Sequence, residues 1–357
     1  MTPRPRPAVD ALPAYRPGKA AAEAEAEHGI TNAIKLASNE TPWAPVPSVA
    51  AAIEAAAKGV NRYADHRATE LRVALARSLR VDPAAVTVGC GSVGLLQQIC
   101  LTYVDPGDEV VYPWRSFEVY PVYTQLAGGV AVTVPLVDHA FDLDAVAAAV
   151  NERTRLVFLA SPNNPTGTAV TTTQLEEFLD AVPSSVLVVI DEAYREFNDP
   201  AVGDPVHEVL PRHDNAVVLR TFSKAHGLAG LRVGYMIADP EVVVAVDKTL
   251  VPFAVNALAQ AAAIAAIDAS AEIVERVALV ERERSRVVEA LRAAGHEFPD
   301  PTANFVWLPF GERTDDIHLG LERMGVVTRP FPGEGIRVTI GTTEENDRFV
   351  AALADVV

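Results

Sequence analysis

Thr221-Phe222-Ser223-Lys224-Ala225-His226-Gly227-Leu228-Ala229-Gly230-Leu231-Arg232-Val233-Gly234 lies between two apolar runs, Ala216-Val217-Val218-Leu219 and Val233-Gly234-Tyr235-Met236-Ile237. A polar, glycine-bearing stretch between two such runs reads as a loop joining strands at one rim of a sheet, where α/β sheets place their chemistry. Thr221 and Ser223 before the lysine and Arg232 eight residues after it could hold a phosphate, while the Lys224 amine forms a Schiff base with an aldehyde. A lone lysine is by default a solvated surface group. The rest of the chain has to decide between the two readings.

The 357 residues suffice for two domains and a sizeable core. A formal net charge of -17 argues against nucleic acid or an anionic membrane as partner, so an anionic ligand must be met by local positive charges. Cys90 and Cys100 offer neither a disulfide framework nor metal-ligand spacing, and fit a reducing cytoplasm. Met1-Thr2-Pro3-Arg4-Pro5-Arg6-Pro7 leads into no apolar stretch, so it reads as a mobile arm rather than a signal peptide. The most apolar segment, Val251 to Ile267, is short for a bilayer and reads as a buried core helix.

From Val86 to Ile237 apolar runs alternate with helical segments, the rhythm of a mainly parallel sheet covered on both faces. Strands are expected at Val86-Val88, Glu109-Tyr112, Val130-Val134, Leu156-Ala160, Val186-Ile190, Ala216-Leu219 and Val233-Ile237. Before them, the Glu23, Glu25 and Glu27 segment has a helix-compatible spacing but no apolar face and reads as solvated, and Ser48 is a candidate cap for a helix over 48–58. After Lys248 come a charged helix from about Glu272 to Ala293 and alternating segments at 304–308, 326–329 and 336–340. The expected architecture is α/β: a three-layer, mainly parallel seven-stranded sheet with a second, smaller α+β domain. Its divisions are an arm over 1–28, a large domain over 46–255, and a small domain made of 29–45 and 256–357.

The strand ends collect the polar residues. Gly89-Cys90-Gly91-Ser92 opens a helical run from Val93, and amides at a helix N-terminus suit a phosphate, although such a turn is also an ordinary strand-to-helix connection. Asp191 follows the apolar Val186 to Ile190, where a carboxylate is costly unless it meets a positive group such as a protonated pyridine nitrogen; a helix cap is the plainer alternative. Asn164 sits in a proline-rich turn, Tyr194 lies three residues beyond Asp191, and Arg329 and Arg337 could together bind an anionic substrate.

Taken together, Ser161-Pro162-Asn163-Asn164-Pro165-Thr166-Gly167, Asp191-Glu192-Ala193-Tyr194 and Thr221-Phe222-Ser223-Lys224 with Arg232 resemble the fold-type I aminotransferases that use pyridoxal 5'-phosphate, in the histidinol-phosphate aminotransferase branch. The resemblance runs from about Leu12 to the end. Within the branch, Gly89 to Val93, Trp114-Arg115-Ser116-Phe117-Glu118 and Val251-Pro252-Phe253 look most like the actinobacterial aromatic amino acid aminotransferases.

By position, the resemblance implies that Lys224 holds the cofactor and shuttles the substrate proton, that Asp191 pairs with the pyridinium nitrogen, and that Asn164 and Tyr194 bond the 3'-oxygen. Phe117 is implied to stack on the ring. The phosphate falls to Thr221, Ser223, Arg232, the Gly91 turn with the backbone of Ser92 and Val93, and Tyr63 from a second subunit of a homodimer. Arg337 is implied to bind the substrate carboxylate, with Arg329, Tyr15, Asn39 and Phe253 nearby. The implied reaction moves an amino group from an aromatic amino acid to 2-oxoglutarate, with no metal. Histidinol-phosphate aminotransferases usually carry Asp-Glu where this chain has Val93-Gly94, and some have a tyrosine in place of Phe253, whose hydroxyl helps bind the substrate phosphate. These departures weaken histidinol phosphate as the alternative substrate; Arg329, Arg337 and Tyr15 keep it open.

Overall fold

The computed structural model describes residues 2–12 and 18–357. Its strands, in chain order, are β1 (Ile34–Lys35), β2 (Val86–Gly89), β3 (Glu109–Trp114), β4 (Val130–Pro135), β5 (Thr154–Ala160), β6 (Leu187–Asp191), β7 (Ala216–Thr221), β8 (Gly234–Ala238), β9 (Phe305–Leu308), β10 (Val326–Val327), β11 (Arg329–Phe331) and β12 (Gly335–Thr339). All seven apolar runs from Val86 to Ile237 are strands of one sheet, ordered β2-β8-β7-β6-β5-β3-β4. β7, β6, β5, β3 and β4 are parallel, and β8 runs antiparallel to both β2 and β7. That single reversal matters for the site. The chain leaves β7 at the rim where the parallel strands end and re-enters the sheet there through β8, so Lys224 and Arg232 share that rim.

Side chains alternate between the faces of a strand. Leu187, Val189, Val217 and Leu219 pack against Leu95, Ile99, Tyr120 and Val243 on one face. Val188, Ile190, Val218 and Phe222 face Leu71, Leu75, Val146, Leu175 and Phe178 on the other, in a core that continues to Phe305, Ile317 and Phe349. Helices thus cover both faces, giving the three layers expected. Of the apolar segment Val251 to Ile267, only the part from Ala257 is the buried helix expected, Ala257–Asp268, with Ala259, Ala262, Ala263 and Ala266 inside; Val251 and Phe253 before it are exposed. No single helix among the described residues is long and apolar enough to cross a membrane.

Two smaller sheets complete the fold. β9, β12 and β11 form an antiparallel sheet in the order β11-β12-β9, which sets Arg329 opposite Arg337. The 326–329 segment does not continue as one strand: β10 pairs in parallel with β1, while Arg329 starts β11.

Three local expectations fail. The helix expected to be capped by Ser48 starts one residue earlier at Pro47, whose fixed φ suits the first helical turn, and no side chain caps it. The Glu23 to Glu27 segment is not simply solvated. It forms the helix Ala21–His28, which buries Ala24, and Lys19 just before it pairs with the buried Glu322 at 2.9 Å. The leading arm also has a seat, because Gln125 donates to the Ala8 carbonyl at 2.8 Å and Arg6 to that of Leu126 at 2.6 Å.

Candidate active site

A cavity of about 590 Å³ opens at the rim where β5, β6 and β7 end, and Asn164, Asp191, Tyr194, Thr221, Ser223, Lys224, Arg232, Arg329 and Arg337 all line it. Lys224, Arg232, Arg329 and Arg337 bring four positive side chains to this cavity in a chain whose formal net charge is -17.

Lys224 leaves β7 three residues after Thr221, and its Nζ donates to the Ser38 carbonyl at 3.2 Å and lies 5.6 Å from the centre of the Tyr194 ring. Burial, reinforced by the charges of Arg337 and Arg232, lowers its pKa to about 7. A substantial fraction of the amine is therefore unprotonated at neutral pH, as a nucleophile requires.

Asp191 is the last residue of β6 and caps no helix. Its side chain is almost wholly buried, and burial raises its pKa to about 6 against the opposing pull of the Tyr120 hydroxyl, which donates to Oδ2 at 3.0 Å. Oδ1 is buried with no hydrogen-bond partner among the described residues. A buried carboxylate oxygen without a donor is costly, and this one belongs to a residue of the cavity wall. A protonated ring nitrogen is the donor that this position lacks.

Gly91 and Ser92 begin the helix Gly91–Tyr103, so unpaired amides lie beside the Thr221 and Ser223 hydroxyls and the Arg232 guanidinium. Thr221 Oγ1 and Ser223 Oγ are already 3.0 Å apart. Gly91 has φ +71, which favours glycine, and a Cβ there would sit 2.5 Å from Arg232 Nη2, so a side chain would have to push the guanidinium aside. An anion nest, a nucleophilic amine and an unsatisfied carboxylate around one cavity together fit pyridoxal 5'-phosphate.

On the substrate side, Arg337 is buried and donates to Asn164 Oδ1 and to the Ala37 carbonyl. Asn39 donates from Nδ2 to the Tyr194 hydroxyl at 2.9 Å. The Asn39 backbone amide and Oδ1 both bond Thr339 Oγ1. Phe117 lines the cavity and meets Tyr120 edge-on. Tyr63 and Phe253 are not in the cavity of their own chain. They stack on each other with ring centres 4.5 Å apart, Tyr63 being 84% exposed. Tyr15 lies outside the described residues.

A family model described as aminotransferase class I and II matches residues 31–353. The chain belongs to that family. Among relatives, a protein of Thermobifida fusca (strain YX) named aromatic amino acid aminotransferase is 54% identical over 346 residues, covering 97% of this chain and 95% of the relative. Another of the same name, from Rhodococcus jostii (strain RHA1), is 51% identical over 352 residues, covering 98% and 95%. Among solved structures, the histidinol-phosphate aminotransferase of Sinorhizobium meliloti in complex with pyridoxal-5'-phosphate superposes with a TM-score of 0.92 at 32% identity, covering 100% of this chain and 98% of that one.

Sequence reasoning missed three features of this aminotransferase site. Tyr120 lies in the helix Val119–Ala127, where an aromatic among apolar residues reads as core. Glu118 accepts from Arg329 at 2.7 Å across the cavity, a contact between residues far apart in sequence. Beneath the site, Arg220 donates to Glu192 at 2.8 Å and to Asp204 at 2.7 Å in a buried charge network; their placement beside Thr221 and Asp191 is a signal that strand alternation could have supplied.

Proposed function

We propose that this aminotransferase moves the amino group of an aromatic amino acid to 2-oxoglutarate, using pyridoxal 5'-phosphate. The observation that carries the reading is the near-full-length kinship, at about half identity, to relatives named for aromatic amino acids. The cavity agrees with it, since Phe117, Val119, Val122 and Tyr123 line it together with Arg329 and Arg337.

When bound, pyridoxal 5'-phosphate supplies an aldehyde for the amine and an electron sink for the bond broken at Cα. The protein does the rest. Lys224 would hold the group through Nζ, and its free amine would take the proton from the substrate Cα as a general base. Asp191 would meet the ring nitrogen, Asn164 and Tyr194 would bond the 3'-oxygen, and Phe117 would give a face to the ring. Thr221, Ser223, Arg232 and the amides of Ser92 and Val93 take the phosphate. Arg337 takes the substrate carboxylate, with Arg329 and Asn39 nearby.

We also propose a homodimer in which Tyr63 serves the second subunit's phosphate. Its exposure, outside its own cavity and among the exposed Val60, Val251 and Phe253, supports this. The domain division proposed is an arm over 1–28, a large domain over 46–255 and a small one of 29–45 with 256–357; the β1–β10 pairing that joins the two pieces of the small domain supports it. A cytoplasmic setting fits the two free cysteines. The deciding experiment compares kcat/KM for phenylalanine, tyrosine and histidinol phosphate in one buffer. Phenylalanine or tyrosine is expected to lead; a lead for histidinol phosphate would overturn the substrate reading.

A further inference from the structure

The segment after β3 and the β11–β12 hairpin face each other across the cavity mouth through two ion pairs of opposite polarity. Arg115 pairs with Glu334, and Glu118 with Arg329. The guanidinium of Arg115 also lies 5.5 Å from the Phe331 ring centre and that of Arg329 5.9 Å from it. Of the four charged residues, only Glu118 and Arg329 line the cavity.

Arg329 and Arg337 are paired residues of adjacent antiparallel strands, so their side chains leave the sheet on the same face, and both reach the cavity. The site therefore holds two guanidinium groups for anions. Arg337 is buried and donates to the Asn164 side chain and to a carbonyl, and it suits the carboxylate common to every amino acid substrate. Arg329 has a carboxylate of the protein on it, that of Glu118, which is the more exposed member, its side chain 39% accessible against 15% for Arg329.

We propose that Glu118 is a specificity-determining residue that stands in for the distal carboxylate of an acidic substrate on Arg329, and so sets the balance between aromatic and acidic substrates. The inference rests on the aromatic and 2-oxoglutarate reading given above. With an aromatic side chain in the cavity, the Glu118–Arg329 pair stays closed and the ring meets no unneutralised guanidinium, which would be costly to desolvate. With 2-oxoglutarate, whose second carboxylate lies at the far end from the reacting carbon, that carboxylate replaces Glu118 on Arg329 and the freed Glu118 turns to solvent. Every acidic ligand must therefore compete with Glu118.

The test uses the holoenzyme with two variants, Glu118→Gln and Glu334→Gln, the second breaking the neighbouring pair without touching Arg329. Single-turnover rates with phenylalanine and with 2-oxoglutarate are measured separately, together with the binding of two unreactive acids, glutarate and 3-phenylpropanoate. In Glu118→Gln, glutarate should bind about fivefold tighter and the half-saturating 2-oxoglutarate concentration should fall alongside, as expected for removing a half-exposed competing charge. Phenylalanine and 3-phenylpropanoate should bind equally or more weakly, and Glu334→Gln should leave the glutarate to 3-phenylpropanoate ratio where it was. An unchanged ratio in Glu118→Gln, or an equal shift in Glu334→Gln, overturns the assignment. A parent enzyme inactive on phenylalanine would sink the substrate reading instead, and the glutarate arm would still report on Glu118.

Discussion

Tyr120→Phe removes one hydroxyl and leaves the ring, which stacks on Phe158 with centres 4.8 Å apart. The hydroxyl lost is the donor to Asp191 Oδ2. A hydrogen bond to a charged acceptor contributes about 1.5–3 kcal/mol, and 1.36 kcal/mol corresponds to one pH unit, so protonation of Asp191 should move up by roughly one to two units. With its pKa at about 6 in the parent, Asp191 is roughly nine-tenths ionised at pH 7; in the variant that falls to between about a tenth and a half. If the cofactor ring needs the carboxylate, pyridoxal 5'-phosphate should bind cofactor-free Tyr120→Phe about two- to tenfold more weakly than the parent at pH 7. The difference should fade by pH 9, where both proteins carry an ionised Asp191. Titrating the cofactor by absorbance at several pH values gives the ratio of Kd values. A loss of the same size at every pH, or none at pH 7, would refute the role given to the Tyr120–Asp191 bond.

The Lys224 amine loses its proton near 7 in the fold and near 10.5 in an ordinary setting. Between those values the unfolded chain holds more protons, so raising pH should stabilise the cofactor-free protein, and Lys224→Met should flatten that slope in urea unfolding measured from pH 7 to 10. Gly91→Ala carries a left-handed φ penalty of about 1–2 kcal/mol and pushes on Arg232; it should weaken pyridoxal 5'-phosphate binding more than pyridoxal binding, and equal losses would show that the turn does not hold the phosphate. Glu192→Gln leaves the buried Arg220 with Asp204 alone, and should cost about 3 kcal/mol in denaturant unfolding. A change under about 0.5 kcal/mol would mean that the network is not what holds these strand ends.

The large sheet was legible because its strands are buried on both faces and so are written as apolar runs between polar ends; β6 and β8 each fall one residue later than expected. Lys224, Asp191 and Arg232 were legible as strand-end residues for the same reason. What the sequence hides is pairing across distance. Nothing near Val326 says that it will pair with Ile34, and nothing near Glu118 points to Arg329. The buried face of the Ala21–His28 helix was missed because its one buried residue, Ala24, is too small to mark a face. Tyr63 and Phe253, read by position into the site, instead stack on each other outside the cavity of their own chain.

The buried network beneath the cavity has a practical consequence for anyone moving this chemistry to another scaffold. Neighbours along a strand face opposite sides, so placing Asp191 and Thr221 toward the cavity turns Glu192 and Arg220 toward the far core, where they neutralise each other. Transplanting only the residues that line the cavity would leave host residues at those two positions, and transplanting one of the pair would strand a charge in apolar surroundings. The transferable unit is a two-sided cassette, with a catalytic front and an ionic back that must travel together.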